Sequence, residues 1–195
     1  MPKQNLNNKE GIVVVISGPS GVGKSTICNR LISDMEFKLS VSATSRRPRA
    51  NEKNGVDYLF MSKEEFEKGI EENAFIEYVK LFNNYYGTLL KPIIRAIEKG
   101  ERYLLDIDVN GAIALRKKKV EGLYVLIAPP DIKTLEERLK GRKTETEQQL
   151  AERLKLAKWE LQQKRYYNYV IINDSLEKTV KKLKSLVIKY KKKKQ

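Results

Sequence analysis

The chain has 195 residues, a formal net charge of +14, a single cysteine and no histidine. This length supports one compact unit with its own core, while the cysteine count excludes an internal disulfide and the lack of histidine excludes imidazole-based catalysis and metal binding. Because residues 1–11 are polar and no run approaches the roughly 18 apolar residues of a membrane span, we expect a cytoplasmic protein that does not contact the membrane.

The first recognisable element is a phosphate-binding loop. The apolar run 12–17 predicts a strand and residues 26–35 can form a helix. Between them lies a segment that fits G-x-x-x-x-G-K-S: Gly18, Pro19, Ser20, Gly21, Val22, Gly23, Lys24 and Ser25. Glycines let successive N–H groups point at one anion, a lysine can reach the β- and γ-phosphates, and a serine hydroxyl can ligate Mg²⁺. The strand–loop–helix context therefore predicts an ATP site rather than an accidental turn.

Residues 40–88 contain short polar–aromatic segments instead of long apolar runs, and this change of pattern predicts an inserted α+β subdomain. Short polar–aromatic strands at 58–61 and 75–79 flank a helix, which a capping box from Ser62 to Glu65 opens. Three arginines and several hydroxyls fall within 40–49. They predict either a second anion site, because arginine pairs two oxygens of a phosphate, or a solvated basic loop.

The following elements predict a parallel-sheet core and a lid. A helix at 89–98 precedes near-continuous apolar runs at 102–107, 123–128 and 169–172, as expected for strands covered on both faces. Asp131 can cap a helix that ends at Gly141, and a capping box at 146–149 opens another. The second helix has an apolar stripe at Leu150, Leu154, Ala157 and Leu161. This basic helical hairpin between two core strands has the character of a lid.

The chain ends in an amphipathic helix that carries much of the positive charge. Its apolar positions are Leu176, Val180, Leu183, Val187 and Tyr190. Residues 176–195 hold nine lysines and one glutamate, a net charge of +8. We expect 191–195 to be a frayed, solvated tail, with contact to RNA or a membrane as the alternative.

Taken in order, these motifs resemble the guanylate kinase family from residue 12 to about 174. The matching segments are 18–25, TSRRPR at 44–49, GVDY at 55–58, FIE at 75–77, NYYGT at 84–88, LDID at 105–108, IAPP at 127–130, GRKTETE at 141–147 and IND at 172–174. The resemblance implies an α/β, P-loop nucleoside-monophosphate-kinase fold in three parts. These are a parallel-sheet core flanked by helices (about 11–39, 89–130 and 164–190), an inserted GMP-binding subdomain (about 40–88) and a helical lid (about 131–163). It also implies Mg²⁺-dependent phosphoryl transfer from ATP to GMP, and to dGMP.

The resemblance also implies roles for individual residues. Contacts to ATP would come from the loop and one lid arginine: Gly18, Pro19, Ser20, Gly21, Val22, Gly23, Lys24, Ser25, Thr26 and Arg138. Contacts to GMP would come from Ser42, Arg46, Arg49, Tyr58, Glu77, Tyr86, Thr88 and Asp106. Glu77 and Thr88 would read guanine, with the Thr88 hydroxyl donating to the guanine carbonyl. Charge at the transferring phosphoryl would come from Lys24, Arg46, Arg142 and Arg153. Ser25 would ligate Mg²⁺, and Asp108 would contact it through water, although the division of roles between Asp106 and Asp108 stays open.

Three rival functions stay open from the residues. A non-catalytic guanylate-kinase-like binding module would typically have a degraded loop, whereas Lys24 and Ser25 are present. A related ribose-bisphosphate phosphokinase or other nucleotide kinase is disfavoured by Glu77 together with Tyr58 and Tyr86. A nucleic-acid-binding ATPase would suit the charge, but no aromatic–basic RNA motif supports it, so no specific nucleic acid is expected. The oligomeric state is left open.

Overall fold

The computed structural model describes residues 11–81, 83–141 and 146–194, which form two sheets surrounded by helices. The strands are β1 (Ile12–Ser17), β2 (Lys38–Leu39), β3 (Ala43–Thr44), β4 (Leu59–Phe60), β5 (Phe75–Leu81), β6 (Asn84–Leu89), β7 (Arg102–Asp106), β8 (Leu123–Ala128) and β9 (Tyr169–Ile172). The helices are α1 (Lys24–Met35), α2 (Lys63–Glu71), α3 (Leu90–Glu98), α4 (Val109–Lys117), α5 (Ile132–Lys140), α6 (Glu147–Gln162) and α7 (Leu176–Lys194), with a 3₁₀ turn at Gln163–Tyr166.

The larger sheet is parallel throughout and has the strand order β2-β7-β1-β8-β9. In its register Ile16 lies beside Asp106, and Ser17 lies beside Leu126. The carboxyl ends of the three central strands therefore meet at one edge, which is where open α/β sheets bind ligands.

Both faces of this sheet are covered by helices. Val14 and Ile16 pack on one face with residues of α1, α5, α6 and α7, whereas Val13 and Val15 pack on the other with residues of α3 and α4. Every residue of β1 and β8 is buried. This confirms the prediction of strands covered on both sides for the runs 12–17 and 123–128. The run 169–172 is a strand as predicted, but β9 is an edge strand and Tyr169 and Ile172 are exposed.

The smaller sheet is built from residues 43–89 and has the order β4-β3-β6-β5. Phe66 of α2 packs between the rings of Phe75 and Tyr85, with centroid separations of 4.1 and 5.2 Å. The antiparallel pair β5–β6 shifts register between Phe75 and Glu77, and this brings Glu77 opposite Thr88. The bulge thus fixes which side chains of this sheet face each other.

The predicted helix starts are confirmed in detail. Complete capping boxes open α2 at Ser62 and α6 at Thr146, and the Asp131 side chain caps α5. Helix α4 was not predicted from the sequence, and the tail expected to be frayed is helical through Lys194. Within the described residues, no helix is long and apolar enough to cross a membrane.

Candidate active site

The loop between β1 and α1 has the geometry of an anion-binding site. Gly21 and Gly23 have φ angles of 87° and 92°, in the left-handed region that glycine adopts at little cost. Because α1 begins at Lys24, the unpaired N–H groups of its first turn add to those of the loop. The Lys24 Nζ donates to the carbonyl oxygens of Gly18 at 2.6 Å and Pro19 at 3.2 Å, so the ammonium lies across the loop.

Two close contacts hold this loop against the core. A Cβ on Gly18 would lie 2.2 Å from the carbonyl oxygen of Ile127, and one on Gly23 would lie 2.8 Å from Asn173 Nδ2. The same Asn173 nitrogen donates to the carbonyl oxygen of Val22 at 2.7 Å. Sequence reasoning gave Asn173 no role, and no local signal could have done so because Val22 is 151 positions away.

The start of α1 also contacts the neighbouring strand. Ser25 Oγ donates to Asp106 Oδ2 at 3.2 Å, because the register of β1 and β7 brings Asp106 beside the loop. Burial raises the pKa of Asp106, against the opposing effects of the Lys24 charge and the Ser25 hydrogen bond. Two other predicted ATP contacts, Ser20 and Thr26, are exposed on the same surface.

Asp108, two residues further along, has a different partner. Its side chain caps α4, with Oδ1 accepting from the backbone N–H of Gly111 at 2.7 Å. A Cβ on Gly111 would lie 3.0 Å from Glu77 Cγ. The start of α4 therefore packs directly against Glu77, and the segment 106–111 connects the phosphate-binding loop with the smaller sheet.

Glu77 and Thr88 form a hydrogen-bonded pair across β5 and β6. Thr88 Oγ1 donates to Glu77 Oε1 at 2.7 Å, and Thr88 is almost completely buried. Burial raises the pKa of Glu77, the Thr88 hydrogen bond opposes this rise, and the charge of Asp108 adds to it. Since a hydroxyl has one proton to donate, Thr88 in this arrangement orients Glu77 instead of offering that proton to a guanine carbonyl.

The arginine-rich segment before β4 contains an internal ion pair. Arg46 Nη2 lies 2.8 Å from Glu52 Oε1, and Arg46 Nη1 donates to the carbonyl oxygen of Arg47 at 2.7 Å. The guanidinium carbon of Arg46 also lies 5.6 Å from the ring centroid of Tyr58, whose ring meets that of Tyr86 at 6.1 Å.

Ser42 and Arg49, which were also expected to contact GMP, lie on the same arginine-rich segment as Arg46. Ser42 is half-buried immediately before β3, and the Arg49 side chain is exposed. Arg46, Tyr58 and Tyr86 are therefore brought together, with Ser42 and Arg49 on the flanking chain.

Two of the predicted lid arginines contact the phosphate-binding region. Arg138 Nη2 donates to the carbonyl oxygen of Asn173 at 3.1 Å, and Arg153 Nη1 donates to Ser20 Oγ at 3.1 Å. Helix α6 thus contacts the loop through Arg153, and α5 contacts Asn173, whose side chain in turn donates to a backbone carbonyl oxygen of the loop. Arg142 lies outside the described residues.

A buried carboxylate that sequence reasoning missed also faces this region. Glu160 of α6 is 6% exposed, and its pKa is raised to about 7 by burial, with the Lys24 charge opposing the rise and Asp108 adding to it. Nearby, Tyr167 donates its hydroxyl proton to Ser17 Oγ at 3.0 Å. Burial, with the Glu160 charge as a smaller cause, raises the pKa of Tyr167 to about 12.

Comparison with known proteins gives consistent matches. The family model for guanylate kinase matches residues 10–190. A guanylate kinase of Caldanaerobacter subterraneus subsp. tengcongensis is 44% identical over 181 residues, covering 92% of this chain and 88% of the relative. One of Mycoplasmoides gallisepticum is 44% identical over 187 residues, covering 95% and 96%. The crystal structure of guanylate kinase from Anaplasma phagocytophilum superposes with a TM-score of 0.69 at 31% identity, covering 92% of this chain and 86% of that one.

Proposed function

This chain belongs to the guanylate kinase family and catalyses the ATP-dependent phosphorylation of GMP to GDP, and we propose that its two substrates meet at the start of α4. The observation that carries this proposal is the connection through residues 106–111. Asp106 accepts a hydrogen bond from Ser25 at the phosphate-binding loop, and Gly111 packs against Glu77 in the smaller sheet. One short segment therefore borders both proposed nucleotide sites.

We propose that Glu77 recognises the guanine base. An ionised carboxylate can accept from the ring N–H and from the exocyclic amine of guanine together, and adenine offers no such pair of donors. Thr88 holds Glu77 in place through their 2.7 Å hydrogen bond. Asp108, whose charge acts on Glu77, is assigned to this base side, and Asp106 is assigned to the ATP side.

The GMP phosphate is proposed to bind between Arg46, Tyr58 and Tyr86, with Ser42 and Arg49 completing the site. Arg46 supplies a planar fork that matches two phosphate oxygens. The Tyr58 ring packs beside its guanidinium and is itself in contact with the Tyr86 ring, which restricts where the guanidinium can point. We expect dGMP to be accepted as well, because none of the side chains in this assignment requires the ribose 2′-hydroxyl.

Mg²⁺ is the proposed metal. Magnesium takes few protein ligands and shares oxygens of the substrate phosphates, and the Ser25 hydroxyl and Asp106 carboxylate, 3.2 Å apart, are oxygen donors of that kind. Consistent with such a ligand set, the described part of the chain contains no cluster of three or more acidic or cysteine side chains that could hold a metal unaided. When bound, the ion would neutralise charge on the ATP phosphates.

The proposed mechanism depends on positioning and charge rather than on a general base. A phosphate oxygen of GMP is already ionised and attacks the γ-phosphorus of ATP directly, which suits a chain without histidine. The bond from the γ-phosphorus to the bridging oxygen of the β-phosphate breaks, so that GDP forms and ADP leaves with that oxygen. Lys24 holds the β- and γ-phosphates, and Arg153 and Arg142 stabilise charge on the phosphoryl group in flight. Arg138 is assigned to ATP binding, because its hydrogen bond to the Asn173 carbonyl oxygen holds its guanidinium near the phosphate-binding loop.

We propose three functional parts: a core (about 11–39, 89–130 and 164–190), a GMP-binding subdomain (about 40–88) and a lid (about 131–163). Closure of the two inserted parts would exclude water that could hydrolyse ATP. The cytoplasmic location stays a prediction from the sequence, and so does the interpretation of the basic segment 191–195 as a solvated tail.

The base-site proposal is tested by steady-state kinetics of Glu77→Ala with GMP and IMP. We expect kcat/KM for GMP to fall by at least tens of fold, about 2 kcal/mol for lost charged hydrogen bonds. IMP lacks the exocyclic amine, so it should be a poor substrate of the wild type and lose much less on mutation. Glu71→Ala, at an exposed position before β5, is the matched control. Equal losses for both acceptors would assign Glu77 to the structure instead of to guanine.

A further inference from the structure

The carboxylate of Glu52 engages the arginine-rich segment with both of its oxygens. Oε1 lies 2.8 Å from Arg46 Nη2, and Oε2 accepts from the backbone N–H of Arg49 at 2.8 Å. The Glu52 N–H in turn donates to the Arg49 carbonyl oxygen at 3.0 Å. Glu52 and Arg46 are each only 17% exposed at their side chains. This is a closed arrangement and not a surface ion pair of long, mobile side chains.

The partners of Glu52 belong to the residues assigned above to the GMP phosphate. Arg46 has five N–H donors, of which Glu52 and the Arg47 carbonyl each use one. The Tyr86 side chain is a further hydrogen-bond partner of the Arg46 guanidinium, and the N–H groups left by these three contacts can serve a second oxyanion. The hydrogen bonds from Arg46 and Arg49 lower the pKa of Glu52. The carboxylate is therefore ionised at neutral pH and remains hydrogen-bonded to both residues.

Arg46 is also confined from its ring side. Its guanidinium carbon lies 5.6 Å from the ring centroid of Tyr58 and 5.8 Å from that of Phe60. Glu52 and Arg47 fix the edges of the guanidinium plane, while the rings restrict its faces. An arginine held in this way has already lost most of its side-chain freedom before a phosphate arrives.

We propose that Glu52 is a positioning residue for the GMP phosphate, which fixes the Arg46 fork and the turn at Arg49 in their binding geometry. The proposal rests on the assignment of Arg46 to GMP made above. Without Glu52, ordering of a long side chain and of the turn would have to accompany binding, and its cost would appear as weaker affinity for the phosphate. The carboxylate repels the incoming phosphate at the same time, so the benefit of position must exceed that repulsion.

The test compares Glu52→Ala, Glu52→Asp and Glu52→Gln with the wild type. GMP and guanosine dissociation constants are measured by calorimetry, together with kcat and both KM values. We expect Glu52→Ala to weaken GMP binding and raise KM for GMP roughly five- to tenfold, while guanosine binding, KM for ATP and kcat stay within about twofold. Glu52→Gln keeps one oxygen that can accept from Arg46, but its NH₂ group then faces the Arg49 N–H, so its GMP affinity should lie between those of the wild type and Glu52→Ala.

Glu52→Asp separates position from charge, because it keeps the carboxylate but shortens its reach by one methylene. We expect it to lose more GMP affinity than Glu52→Gln. If Glu52→Ala does not fold, the comparison of Glu52→Asp with Glu52→Gln still tests the proposal. Glu72→Ala is the control, since Glu72 is exposed on the surface of the same subdomain and lies 3.8 Å from the Lys68 ammonium.

Two results would overturn the proposal. If Glu52→Ala and Glu52→Gln bound GMP as tightly as the wild type or more tightly, Glu52 would be a competitor of the phosphate. If GMP and guanosine lost affinity equally, Glu52 would only support the fold. An error in the base-site assignment would be seen separately, in the Glu77→Ala kinetics. Guanosine carries the base without the phosphate, so its binding distinguishes a loss of affinity at the base from one at the phosphate.

Discussion

Replacing Glu160 by glutamine should make the protein more stable at neutral and alkaline pH. Glu160 is 6% exposed on α6, and its pKa in the folded protein is about 7, chiefly because burial disfavours the charged form. The Asp108 charge adds to this effect, and the Lys24 charge opposes it without cancelling it. Glutamine has nearly the same shape as a protonated glutamate and cannot ionise.

The magnitude follows from the two pKa values. An ordinary glutamate has a pKa of 4.5, against about 7 for Glu160 in the folded protein, and each pKa unit is worth about 1.4 kcal/mol. Ionised Glu160 should therefore lower the free energy of unfolding by about 3 kcal/mol. Below pH 4.5 the carboxyl is mostly protonated in the folded and the unfolded protein alike, so Glu160 does not lower the free energy of unfolding. Between pH 4.5 and about 7 the unfolded chain releases a proton that the folded chain retains, so stability falls as pH rises.

Urea unfolding of the wild type and Glu160→Gln between pH 4.5 and pH 8.5 tests this reasoning. Other titrating groups act on both proteins alike, so the difference between the two unfolding free energies is the informative quantity. It should be near zero at the acidic end and grow to about 3 kcal/mol in favour of the variant above pH 7. Glu152→Gln, at an exposed position on the same helix, should show no such trend. A difference between wild type and Glu160→Gln that does not change with pH would refute the desolvation argument.

Three further predictions concern the loop and the lid. Lys24→Met should nearly abolish turnover and leave the far-ultraviolet circular dichroism spectrum unchanged, and turnover within tenfold of the wild type would contradict the ATP assignment. Gly18→Ala should lower the melting temperature, because Gly18 has a φ of 148° and its new Cβ would lie 2.2 Å from the Ile127 carbonyl oxygen; unchanged melting would show that the loop can move away from β8. Arg153→Ala should lower kcat more than it raises KM for GMP, since its charge matters most in the transition state. An effect confined to KM would instead make it a ground-state contact.

Much of the core was predictable because its signals are local. The four apolar runs became β1, β7, β8 and β9, with only the end of β7 differing by one residue. Capping boxes are short-range patterns, and both were found where they were expected. The helix α4 was missed because Asn110 and Gly111 at its start have the composition of a loop.

The parts of the site that could not be predicted depend on contacts distant in sequence. The apolar stripe expected on α6 included Leu161, yet Leu161 is only half-buried and Glu160 beside it is buried. A periodicity argument excludes a glutamate from a buried face, so tertiary packing alone could reveal it. The pairing of Thr88 with Glu77 has the same origin, because it depends on the β-bulge that sets the register of β5 and β6.

Three of the cationic side chains assigned to phosphates are bonded to acceptors of different kinds: Lys24, Arg138 and Arg46. Lys24 and Arg138 donate to neutral carbonyl oxygens, whereas Arg46 is paired with the charged Glu52. A phosphate oxygen forms the stronger, charge-assisted hydrogen bond, so it should displace the neutral acceptors when ATP binds. Displacing a carboxylate offers no such gain, and Arg46 should therefore keep Glu52 and bind GMP through its other donors. Arg138 is thus suited to exchange partners during a catalytic cycle, and Arg46 is suited to remain fixed.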